Sequence, residues 1–158
     1  MLMNIHIENR QKAAKLDLRR IRRVVRKLKK VLKCSDQEIS LLFVDNEQIR
    51  QMNRQYLNRD HPTNVISFSI REGDYGHVNP QILGDIVISA ERALQDAVTG
   101  DLSFDEEIDF LLIHGLLHLL GYNHEGVDEN EATKMRDKED AVFFILNGYE
   151  IERSDAAI

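Results

Sequence analysis

One cysteine in 158 residues leaves no internal disulfide to form. Cys34 therefore fits a reducing compartment, and with no His or Cys beside it in sequence it reads as a packing or surface residue, not a nucleophile. No apolar run approaches the length of a membrane span, and the opening MLMNIHIENR lacks the apolar core of a signal peptide. A cytoplasmic protein with no membrane partner is expected. Internal repeats, linker-like stretches and low-complexity tracts are also missing. A single catalytic domain over residues 1–148 and a polar C-terminal tail over 149–158, expected to fray, account for the whole chain. At 42% apolar and 30% charged residues the composition is that of an ordinary globular domain.

Charge is present but sorted. The net charge is −6, yet Arg10 to Lys33 holds twelve Lys or Arg against the one acid Asp17. Residues 34–158 carry nine bases and twenty-five acids. Such sorting points to a polyanionic partner for the basic segment, against the plainer reading of a solvated helix face. Its apolar residues Ala14, Leu18, Ile21, Val25, Leu28 and Leu32 step by four and three, which predicts one helix with that stripe on the core. The bases, Arg19, Arg22 and Arg26 among them, are expected to coat the rest. No aromatic residue interleaves with them, which argues against base stacking there.

Elsewhere, alternation predicts strands at Asn4–Glu8, Glu38–Val44, Val65–Ile70 and Asp85–Ser89, with an irregular loop marked by Gly73, Gly76 and Pro80. Asp45 with Gln48, and Ser103 with Glu106, have the spacing of capping boxes that open helices. Ala90–Val98 reads as a short helix closed by Gly100. Asp128–Leu146 reads as a last helix with Ala132, Met135, Val142 and Leu146 inward. The class is α+β: a mixed sheet of about four strands packed with about five helices.

The most informative stretch is Phe110 to His124, FLLIHGLLHLLGYNH. A helix this apolar on every side is buried, and its polar rings need partners. His114 and His118 leave one face a turn apart. Gly121 lets the chain break away with positive φ, so that His124 can return. Three neutral imidazoles suit a divalent ion with an open fourth position; Zn²⁺ fits best, and Ni²⁺ or Co²⁺ would fit the same ligands. The spacing matches the long zinc-protease signature except after the first His, where the catalytic Glu is replaced by Gly115. Peptide hydrolysis with that Glu as base is excluded. Gly115, costly in a helix interior, is expected to admit a neighbouring backbone or a substrate. His6, His61 and His77 lie outside ligand spacing.

HGLLHLLGYNH resembles the signature of the YbeY family, metal-dependent endoribonucleases of bacterial ribosomal RNA maturation. The run from Arg59 to Phe68 (RDHPTNVISF) and the segment Leu83–Gly84–Asp85–Ile86 are similar to two further family motifs in order and spacing. The likeness covers roughly residues 40 to 148. It implies a zinc-peptidase-like core and metal ligation by His114, His118 and His124. It also implies one zinc ion per chain, and ribosomal RNA and ribosomal particles as partners, with no DNA expected. Asn123 stands where the family has Asp before the third His. Leu57 stands where the family has Arg after Tyr56, so Arg59, two residues on, is the catalytic candidate.

The expected chemistry is single-strand-specific RNA cleavage in ribosomal RNA maturation and ribosome quality control. A metal with neutral ligands keeps its full charge, lowers the pKa of a bound water towards 7 and attracts phosphodiesters. Arg59 and the basic helix would neutralise charge on phosphoryl oxygens. Asp85 is a candidate to orient a ligand His or a water from behind; local backbone bonding at the strand start is its alternative. Two other readings stay open: a metallopeptidase-like hydrolase with a carboxylate from elsewhere, and a non-catalytic ribosome-assembly factor whose metal is structural and closed by a fourth protein ligand.

Overall fold

The computed structural model describes residues 4–60, 63–69, 81–122 and 129–153. The Gly73–Pro80 loop, His61, His77, Ile70 and Asp128 lie outside that set. Four strands, β1 (Ile5–Asn9), β2 (Glu38–Val44), β3 (Val65–Ser69) and β4 (Ile82–Ser89), form a sheet in the order β1-β2-β4-β3. β1–β2 and β2–β4 are parallel, while β3 runs antiparallel to β4. The described residues add five helices: α1 (Leu18–Val31), α2 (Asn46–Leu57), α3 (Ala90–Thr99), α4 (Phe104–Leu119) and α5 (Glu129–Asn147).

The two-residue period of the strands divides the core. Ile5, Ile39, Leu41, Phe43, Ile86 and Ile88 face α1, α4 and α5 in the main cluster. Val44, Ile66 and Val87 turn the other way, against Ile49 and Met52 of α2. The helix starts follow their caps. Asp45 and Gln48 close a capping box at α2, Ser103 and Glu106 at α4, and Asp17 accepts from the Arg20 amide at α1. Three acids, Asp105, Glu106 and Glu107, sit in the first turn of α4, where the helix dipole favours negative charge.

Helix α1 departs from its expected stripe at the start. Gln11 makes two hydrogen bonds to the Ala14 backbone, holding residues 11–14 in a loop, so the helix begins only at Leu18, itself exposed. Nor do all the bases face solvent. Arg20 reaches Asp109 of α4 at 2.7 Å, Arg22 donates to the Ile5 carbonyl at 2.8 Å, and Lys29 is buried. The exposed basic face is Arg19, Arg23, Arg26, Lys27 and Lys30. Cys34 is buried packing.

Helix α4 is the centre of the molecule: every residue from Glu107 to Leu117 is buried. Such complete burial brings ionisable groups inside. Glu107 has one carboxylate oxygen without a hydrogen-bond partner among the described residues. Burial, then the negative charge of Asp96, push its carboxyl up to about 7 against the pull of Arg153. The folded state thus binds this proton more tightly than the unfolded chain. Its effect on stability is nil below the ordinary Glu pKa, grows into a cost as pH rises from there to about 7, and is constant above. Glu107→Gln is therefore expected to stabilise the protein at pH 8, by about 1–3 kcal/mol, with the difference gone below about pH 4. Urea unfolding at the two pH values reads this directly, and an equal effect at both would refute it.

Candidate metal centre

His114 and His118, one turn apart on α4, converge. Their Nε2 atoms lie 3.1 Å apart and their rings meet edge to face. His114 is 4% exposed, while His118 is half-buried and opens the site outward. The other nitrogen of His114, Nδ1, is 2.5 Å from Oε2 of Glu139 on α5. A carboxylate can only accept, so the His114 proton sits on Nδ1 and the Nε2 lone pair faces His118. Two bare lone pairs at 3.1 Å would repel, so either His118 donates an Nε2–H to His114 or a cation stands between them. Tetrahedral zinc with N–Zn bonds of about 2.05 Å puts two ligand nitrogens about 3.3 Å apart. The pair fits that ion as it stands.

Glu139 is the site residue that the sequence reading passes over. Burial raises its carboxyl, but hydrogen bonds and charge from His114 and Arg153 outweigh that, and the net shift is downward. It stays an acceptor. Its position was accessible in principle: Met135, Glu139 and Val142 lie on one stripe of α5, and an acid among inward apolar positions signals a buried partner. The tail also differs from expectation. Its described part, through residue 153, packs against the helices: Ile151 lies on the core and the Arg153 side chain is 1% exposed.

Gly115 separates the two imidazoles. A Cβ there would stand 2.7 Å from Cγ2 of Ile86, so glycine lets a β4 side chain, not a backbone or a substrate, close on the helix. Ser67 and Ser69 of β3 bond the Gly115 and Leu119 carbonyls at 3.2 and 3.3 Å, which draws the sheet against α4. At the helix end Gly121 has φ 102°, and the Tyr122 amide returns to the Leu117 carbonyl at 3.0 Å. The chain then enters residues 123–128, which hold Asn123 and His124 and lie outside the described set. Among the described residues no group of three or more His, Cys, Asp or Glu is placed to hold a metal.

The family model for "Endoribonuclease YbeY" matches residues 6–147. The chain belongs to the YbeY endoribonuclease family. It is 53% identical to the endoribonuclease YbeY of Syntrophus aciditrophicus over 96% of this chain and 95% of that one. It is 48% identical to that of Syntrophotalea carbinolica, over 88% and 93%. The solution structure of TM1509 from Thermotoga maritima superposes with a TM-score of 0.65 at 26% identity, covering 91% of this chain and 89% of the other. The matched family span takes in α4 and Glu139 and ends before Arg153.

Two other candidates lie on other elements, Asp85 on β4 and Arg59 just past α2. Asp85 pairs across the sheet with Phe68, whereas the neighbouring Ser67 and Ser69 are the residues that reach α4. Strand alternation therefore points Asp85 to the opposite face, away from His114. There it lines a cavity of about 500 Å³ with Ser40, Met52 and Tyr56. Burial raises its carboxyl, against a hydrogen bond from Ser40. Among the described residues it is Glu139, not Asp85, that hydrogen-bonds the His114 ring. Arg59 follows Asn58, the left-handed cap of α2, and is exposed.

Glu139→Gln keeps the shape and one acceptor but removes the charge that fixes the imidazole. Zinc affinity is expected to fall about 10- to 100-fold with the fold intact. Competition against a chromogenic chelator measures this, and unchanged affinity would mean that the His114 contact is packing alone.

Proposed function

We propose that the chain is a metal-dependent, single-strand-specific endoribonuclease acting in ribosomal RNA maturation and ribosome quality control. Its cofactor is one zinc ion per chain, its partners are ribosomal RNA and ribosomal particles, and its location is the cytoplasm. Family membership makes it an endoribonuclease. The observation that carries the metal is the 3.1 Å approach of the His114 and His118 Nε2 atoms, with the His114 tautomer set by Glu139. His124 completes the proposed ligand set.

A divalent ion bound there supplies Lewis acidity and an activated water at neutral pH. The chain's own residues do the rest. His114 and His118 present Nε2 lone pairs, and Glu139 keeps the His114 proton on Nδ1. Arg59 is proposed to offset charge on the phosphoryl oxygens. A peptidase mechanism with its general-base Glu on this helix is disfavoured, because the position is Gly115 and a Cβ there would stand 2.7 Å from the Ile86 side chain.

Purified protein is expected to cleave single-stranded RNA and spare duplex, to lose the activity to a chelator and to regain it with zinc. His114→Ala should be inactive, and undiminished cleavage by that variant would sink the proposal.

The exposed face of α1 is proposed to track phosphates. Because Arg22 is tied to the Ile5 carbonyl, the informative reversal is Arg19, Arg23 and Arg26 to Glu. RNA binding should weaken, and the slope of log affinity against log salt should drop by roughly one per lost contact. Stability should change little, since exposed charges contribute little to it. Identical affinity and slope would leave this face as solubility surface.

A further inference from the structure

Arg153 is among the most deeply buried charged side chains of the protein, and it comes from the polar end of the chain. After α5 the backbone turns at Gly148 and doubles back. Tyr149 anchors the return through a 2.7 Å hydrogen bond to Glu106 and an edge-on contact with Phe143. Arg136 then donates to the Arg153 carbonyl at 3.1 Å, fixing the backbone where the side chain turns inward. The guanidinium stacks 4.0 Å from the centre of the Phe110 ring of α4. Its Nη2 reaches Glu139 Oε1 at 3.2 Å and Asp140 Oδ1 at 2.7 Å, and its Nε reaches the same Asp140 oxygen at 3.1 Å.

The consequence lies in how Glu139 is divided. Oε2 takes the proton of His114 Nδ1, and Oε1 takes Arg153. A carboxylate held at one oxygen can swing about its bond to Cγ, and the imidazole swings with it. Held at both, it has one orientation, and so does the ring. The planar fork of arginine, held over the Phe110 ring, suits this better than a lysine point charge, because it spans Glu139 and Asp140 together.

We propose that Arg153 is a positioning residue of the metal centre: acting through Glu139, it fixes the ring and the tautomer of His114. This rests on the reading of His114 as a ligand.

The test compares Arg153→Met, which keeps an apolar stem over Phe110 and removes the fork, with Tyr149→Phe, which removes the other anchor of the same segment. Two quantities are read. One is zinc affinity by chelator competition. The other is the ¹⁵N NMR signature of the His114 ring in zinc-free protein. Arg153→Met should weaken zinc binding about tenfold or more and turn a single Nδ1-protonated tautomer into a mixture. Tyr149→Phe should lower the melting temperature while leaving both readings as they are. Zinc affinity within twofold of Tyr149→Phe, together with an unmixed tautomer, would overturn the proposal. If Arg153→Met does not fold, Arg153→Lys carries the test, with an intermediate loss expected and no loss overturning it. Should the unmodified protein bind no zinc, the metal reading fails by itself. The tautomer then decides the role of Arg153: mixed supports it, unmixed rejects it.

Discussion

A helix buried on all sides that nonetheless carries ionisable groups is the constraint from which the rest of this structure follows. Water cannot satisfy Glu107, Asp109 and His114, so the surrounding elements must. Each is handled differently. Asp109 receives Arg20 from α1, although burial still leaves its carboxyl above the usual range. His114 receives Glu139 from α5, which in turn receives Arg153. Glu107 receives no hydrogen bond at Oε1 and is pushed towards neutrality instead. Arginines from the two ends of the sequence thus converge on neighbouring residues of one helix, Arg20 on Asp109 and Arg153 on Phe110. Buried pairs of this kind repay little net stability once desolvation is counted. What they supply is a defined orientation, which a metal ligand needs and a core residue does not.

The same need explains the division of labour in α1. Its charge looks from the sequence like one uniform coat. In the structure Arg20 and Arg22 tie the helix to α4 and β1, and Lys29 is enclosed near the helix end. Only the remaining bases are available to a polyanion. A density of positive charge therefore overstates the binding surface, because some bases are used to hold the helix that displays the others.

What could be read in the sequence was whatever is local. Both capping boxes, the strand of β2, the positive φ at Gly121 and the pairing of His114 with His118 all depend on residues within a few positions of one another. What could not be read depends on tertiary placement. Glu139 lies twenty-five residues from His114 in sequence, and Arg153 follows a turn that no periodicity announces. The face that Asp85 takes was not legible for a simpler reason. Ile86, Val87 and Ile88 are apolar in succession, since both faces of β4 are covered, and a strand without alternation does not say which way its polar neighbour points.

Gly115 shows why the departure from the protease signature is more than one missing carboxylate. The Ile86 side chain occupies the space above it, and Ser67 holds the Gly115 carbonyl from β3. A side chain restored there would meet Ile86, so it could enter only if that side chain or the helix gave way. Close packing of helix on sheet and the absence of a base at this position therefore go together. On the proposed function, the proton acceptor comes from another segment or from the substrate, and a polynucleotide with its own hydroxyl groups is a substrate able to meet that requirement.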